Sequence, residues 1–93
     1  MKLEEKIRDR KIVYFFRKPP AVAFELAVLY FVLAKRKAAK NKIMEASRNS
    51  INWLKKAGIA LPDYLEQLSC FGQLEEIEKI LVCNRAKIDA CIA

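Results

Sequence analysis

A chain of 93 residues can bury one hydrophobic core but not two, so residues 1–93 are read as a single domain. Apolar residues make up 54% of it and only two glycines and three prolines interrupt it; sheet-rich folds with many tight turns are excluded, and the expectation is all-α, a small helical bundle of about four helices with one long central helix. The net charge of +7 is unevenly spread: residues 1–58 hold fifteen basic and five acidic side chains, residues 59–93 three basic and six acidic, so an acidic partner is expected for the first part, a role the chain's own C-terminal helix can fill in some measure.

In residues 2–18, Leu3, Ile7 and Tyr14 share one helical face. The run Ile12-Val13-Tyr14-Phe15-Phe16 suits a strand equally well, being continuous, β-branched and aromatic. Helix is preferred because no second strand exists to pair with it. Pro19-Pro20 ends the element: Pro19 disfavours the helical region for Lys18, and Pro20 suits the first turn of the next helix.

Nothing breaks a helix outright between Pro20 and Ala57, yet a continuous one would span roughly 57 Å, longer than a domain of this size is wide. A kink or break is expected at Ser47-Arg48-Asn49-Ser50-Ile51-Asn52, where short polar side chains compete for the backbone. Gly58 fits the left-handed position after a helix, with Lys55 and Lys56 in the last turn and Ile59 folding back on Leu54. Leu61-Pro62-Asp63 is read as restarting a short helix to about Ser69. Gly72 then separates it from a last helix beginning near Gln73, whose stripe is Leu74, Ile77, Leu81, Ile88 and Ile92.

Residues 21–34 are apolar around the whole helix apart from Glu25. They fall short of the ~20 residues of a membrane span and are flanked by Arg17-Lys18 and Lys35-Arg36-Lys37, so a central core helix is preferred over membrane insertion. Its width suggests a surplus face: Phe24, Val28 and Phe31 on one side and Leu29 and Leu33 on the next are the candidate partner interface. A homodimer is one way to cover such a face. Glu25, if buried, needs a basic or hydroxyl partner; otherwise it points to solvent.

Lys35, Arg36, Lys37, Lys40, Arg48 and Lys55 are the candidate contacts to nucleic acid or to an acidic partner, within a basic run that also includes Lys42 and Lys56. As a wheel, Ala39, Ile43, Ser47, Ser50, Leu54 and Ala57 form its buried stripe, with Lys37, Arg48 and Lys55 along one edge and Lys35 and Lys42 along the other. Such a run is more often a solvated face. Residues 62–77 have the outline of a helix-turn-helix, but Glu75, Glu76 and Glu78 would face the phosphates, and an ordinary helical hairpin reads better.

The chain has no histidine, so there is no Ser-His or Cys-His couple. No glycine-rich phosphate loop or paired-carboxylate cleft is visible either, and the reading is that it is not an enzyme and takes no cofactor. Cys70, Cys83 and Cys91 lack a zinc spacing, so no metal is expected. An odd number of thiols reads as reduced and cytoplasmic, with Cys83 and Cys91 as small buried side chains. Asn84, at the centre of the last stripe, is expected to pair across a helix contact or to reach a water.

The leading functional expectation is a small non-catalytic accessory or adaptor subunit that docks on a larger protein, in an assembly for DNA replication, repair or transcription. The alternatives are a direct DNA- or RNA-binding helical dimer, marked by steep salt dependence, and a membrane-associated protein using residues 21–34.

Overall fold

The structure, a computed structural model, describes residues 2–37, 39–68 and 70–92, with side chains for 2–37, 39–68 and 72–85. Four helices follow one another: α1 (Leu3–Arg17), α2 (Pro20–Arg36), α3 (Lys40–Lys56) and α4 (Cys70–Ile92). The described residues contain no strand. The fold is thus the expected all-α bundle, and Ile12–Phe16 is helical.

α1 carries Glu4 and Glu5 in its first turn and Arg17 in its last, each complementing the helix dipole. It ends at Lys18, whose N–H donates to the Tyr14 carbonyl at 2.7 Å. Lys18 leaves the helical region, as Pro19 requires, but into the left-handed well (φ 50°) rather than the extended one. The inner face is Leu3, Ile7 and Tyr14: Ile7 is buried, and the Tyr14 ring stands edge-on to Trp53 of α3 at 4.9 Å.

Pro20 opens α2 after an extended Pro19. The long central helix is corrected to two helices of 17 residues each, parted where Lys37 and Ala39 are extended. α3 runs without a break through 47–52, where the two serines have acceptors on a dry face. The Ser47 hydroxyl donates to the Ile43 carbonyl on its own helix (2.8 Å), and the Ser50 hydroxyl donates across to the Ala27 carbonyl of α2 (2.7 Å). Both serines are fully buried. With Ala23, Ala27, Ala34 and Ala46 they bring α2 and α3 close together, and small side chains are what such an approach needs.

α3 stops as expected: the Ile59 N–H donates to the Leu54 carbonyl (3.2 Å), the Gly58 N–H to that of Lys55 (3.0 Å), and Gly58 has φ 81°. This is the paired hydrogen-bond pattern of a glycine C-cap. The short helix expected up to Ser69 is only a 3₁₀ turn, Leu65–Gln67; so brief a segment cannot offset helix nucleation, and what holds it is Leu65, 1% exposed. α4 starts at Cys70, so Gly72 lies inside its first turns rather than before it. The Gln73 amide N–H₂ donates to the Leu65 and Glu66 carbonyls (3.3 and 3.4 Å), tying the 3₁₀ turn to α4.

α2 packs against the other three helices. Phe24, Leu26, Tyr30 and Phe31 meet Ile7 from α1, Ile51 and Leu54 from α3, and Ile77 and Leu81 from α4 in one core. Of the expected α4 stripe, Ile77 and Leu81 are buried and Leu74 half-buried; Ile88 and Ile92 lie outside the described side chains. Cys83 is exposed, correcting the expectation of burial, while Cys70 and Cys91 are outside the described side chains. The Asn84 side-chain amide donates to the Ile80 carbonyl on its own helix (2.8 Å) rather than, among the described residues, to a neighbouring helix.

Candidate docking and charge surfaces

The face expected to lie open on α2 is largely covered. Phe24 and Phe31 are buried, and Val28, Leu29 and Leu33 are half-buried. The expectation is corrected because three helices, not one layer, surround α2. What remains is an apolar hollow of about 240 Å³ between α2 and α4, where Phe24, Val28 and Phe31 meet Leu81 and the exposed Val82.

Among the described residues, four of the exposed large apolar side chains lie together on α1. Phe15 and Phe16 are 74% and 76% exposed, and Ile12 and Val13 are exposed beside them. The two rings stand edge to face, centroids 5.4 Å apart. A helix turns about 100° per residue, so five consecutive apolar residues cannot all face inward, and here Tyr14 alone of the run is turned to the core. That signal stood in the sequence: an unbroken apolar run read as helix implies an exposed apolar face. No acidic residue lies between Arg10 and Pro20, and in sequence the run is flanked by the exposed Lys11, Arg17 and Lys18.

Glu25 is partly exposed and pairs with Arg10 at 3.2 Å, clamping α1 to α2. The ion pair sits in high dielectric and contributes modestly.

The six basic candidates are all exposed but do not form one stripe. Lys35, Arg36, Lys37 and Lys40 gather at the α2–α3 turn, where Lys37 lies 4.0 Å from Glu4 and the Lys35 ammonium lies over the Phe31 ring at 5.5 Å. Arg48 and Lys55 are farther along α3; Lys40 and Lys55 are roughly 22 Å apart at 1.5 Å per residue. Lys55 is bonded to Glu66, holding that carboxyl below its usual value, first through the hydrogen bond and then through the ammonium's charge, with a smaller contribution from Arg48. The edges drawn on a continuous wheel therefore do not survive the break at 37–39, and Lys55 is already engaged by its own chain.

Among the described residues no three His, Cys, Asp or Glu side chains gather to hold a metal, and no helix is long and apolar enough to cross a membrane. Residues 21–34 form the core helix that the sequence favours. Comparison with protein-family models, curated proteins and solved structures finds no match for this chain.

Proposed function

We propose that the chain is a small non-catalytic accessory or adaptor subunit that docks on a larger protein within a nucleic-acid-handling assembly of replication, repair or transcription. The observation that carries the docking is the exposed Ile12, Val13, Phe15 and Phe16 face of α1. Monomeric proteins leave single apolar side chains in water routinely, but contiguous ones mark an interaction surface. Its basic surround fits a partner with an apolar recess rimmed by carboxylates. The nucleic-acid setting rests on charge: residues 1–58 carry +10, and Lys35, Arg36, Lys37 and Lys40 project at the α2–α3 turn. That cluster also supports the second reading, direct nucleic-acid binding by a helical dimer.

The test is affinity capture from the native source with mass spectrometry, after nuclease treatment, using the wild-type chain and the Phe15→Ser, Phe16→Ser double variant. A partner that survives nuclease and is lost with the double variant supports the docking reading. Loss of every partner on nuclease treatment favours direct nucleic-acid binding, and retention by the double variant overturns the α1 face. Because both rings are about three-quarters exposed already, the variant should keep its fold and stability.

A further inference from the structure

The hollow between α2 and α4 is walled by Phe24, Val28, Phe31 and Val32 from one helix and by Leu81 and Val82 from the other. An apolar cavity of about 150 Å³ already admits a benzene-sized ring, and at about 240 Å³ this hollow has room for one phenyl ring. Its described walls include no side chain of α1, so the chain does not fill it with its own exposed rings. The charged residues that line it are Glu78 and Arg85 of α4. Residues three, four or seven apart share a helix face, which puts Glu75 and Glu78 on the same side of α4 as the exposed Val82. Both carboxylates are exposed and, among the described residues, neither is in an ion pair.

α1 presents the reciprocal shape and charge. Phe15 and Phe16 project from its last turn, about three-quarters exposed, with the exposed Ile12 one turn earlier beside both. From Arg8 to Lys18 five cations stand against one carboxylate, Asp9. Arg10 is paired with Glu25 and Lys11 lies over the Tyr30 ring, whereas Arg8, Arg17 and Lys18 are exposed and, among the described residues, in no ion pair. Two α1 helices laid face to face would bring like charges together, which disfavours that pairing. Laid against α4, the same cations meet Glu75 and Glu78.

We propose that Phe15 and Phe16 of one copy of the chain dock at the α2–α4 hollow of a second copy, with Arg17 and Lys18 toward Glu75 and Glu78. This contact presupposes that the α1 face is an interaction surface, the reading proposed above, and names its occupant when no larger partner is bound. The contact is head-to-tail, since the two surfaces differ, and it closes into a dimer where each copy both gives and receives. Small contacts of this kind are weak and depend on concentration. A larger partner that takes the two rings must displace the second copy, so self-association masks the docking face.

The experiment is sedimentation equilibrium of the full chain over a wide concentration range, for the wild type, the Phe15→Ser, Phe16→Ser double variant, Val82→Asp and Glu78→Lys. The wild-type average mass should rise above the monomer's with concentration, and less so as salt is raised. The double variant and Val82→Asp should each weaken association about thirtyfold or more, as loss of a central anchor does, and Glu78→Lys should weaken it several-fold. All four positions are exposed, so thermal melts should stay near the wild type's. The deciding measurement mixes two disabled proteins. Val82→Asp keeps the rings and the double variant keeps the hollow, so each alone is monomeric and the mixture regains a one-to-one complex. With one protein isotope-labelled at a time, amide NMR shifts should fall at residues 12–16 of Val82→Asp and at Val28, Phe31 and Leu81 of the double variant. A wild type that stays monomeric, Val82→Asp and Glu78→Lys both associating as the wild type does, or a mixture that regains nothing would overturn the contact. A monomeric wild type whose captured partner still depends on Phe15 and Phe16 rejects the second copy and leaves docking on a larger protein standing; self-association as described, with a captured partner indifferent to both rings, does the reverse.

Discussion

Two helices in this chain end on a left-handed residue, and they differ in the residue placed there: Gly58 after α3 (φ 81°) and Lys18 after α1 (φ 50°). The pair allows one quantity to be measured with both signs. In Gly58→Ala the added Cβ would meet nothing within 4 Å, so no clash confuses the result and the cost is that of the backbone alone. A side-chain-bearing residue in the left-handed well costs roughly 1–2 kcal/mol, while replacing glycine returns about 0.4–1 kcal/mol by restricting the unfolded chain. The net loss is about 0.5–1.5 kcal/mol. Lys18→Gly reverses both contributions and should stabilise by a similar amount, helped by the relief of a residue that precedes proline. Since about 1 kcal/mol moves the melting temperature of a 60–100-residue domain by roughly 4–8 °C, thermal unfolding followed by far-ultraviolet circular dichroism resolves both variants. Gly58→Ala should melt lower and Lys18→Gly higher. Shifts in the same direction, or none in either, would refute the idea that left-handed strain at these two caps affects stability.

Ser50→Ala should cost about 0.5–1.5 kcal/mol in urea unfolding, because it removes the buried bond to the Ala27 carbonyl while that oxygen keeps its place in the α2 ladder. Ser50→Leu should cost more, since α2 lies against that position and overpacking typically costs about 1–3 kcal/mol. The Glu66 carboxyl, held low by Lys55, favours folding at pH values above the unfolded carboxylate's titration, and that contribution fades as pH falls through the lowered folded value. Lys55→Met should move the Glu66 carboxyl back up toward its ordinary range in a carbon-detected NMR titration; an unmoved value would remove Lys55 as the cause.

The boundaries that the sequence shows well are those written in backbone chemistry. Pro19-Pro20 and Gly58 restrict or free φ directly, and the structure turns at both. The break at 37–39 has no such mark, for Lys35, Arg36, Lys37 and Lys40 are good helix formers and contain neither glycine nor proline. It follows from packing: folded back, the small faces of α2 and α3 bury one another, and repulsion among like charges along the turn weakens the continuous alternative. Ser47 and Ser50 mislead for the same reason, since their hydroxyls look like helix breakers until their acceptors on Ile43 and Ala27 are known. The site residues divide in the same way. A helical wheel of α2 shows that it is apolar on two sides but not that three neighbours cover it, whereas the run Ile12–Phe16 announced an exposed face once it was taken as helix.

α1 is attached to the bundle lightly: Ile7 is its one buried side chain, with Leu3, Tyr14 and the exposed Arg10–Glu25 pair around it. α2 and α3 share their small, dry faces. Free energies of local opening track buried contacts of this kind, so amide hydrogens of α1 should exchange with solvent through partial detachment of that helix, while those at the α2–α3 contact wait for global unfolding. The helix that carries Phe15 and Phe16 is therefore also the one that can swing or refold against a visitor at small cost. Its position in the complex need not be the one it holds alone.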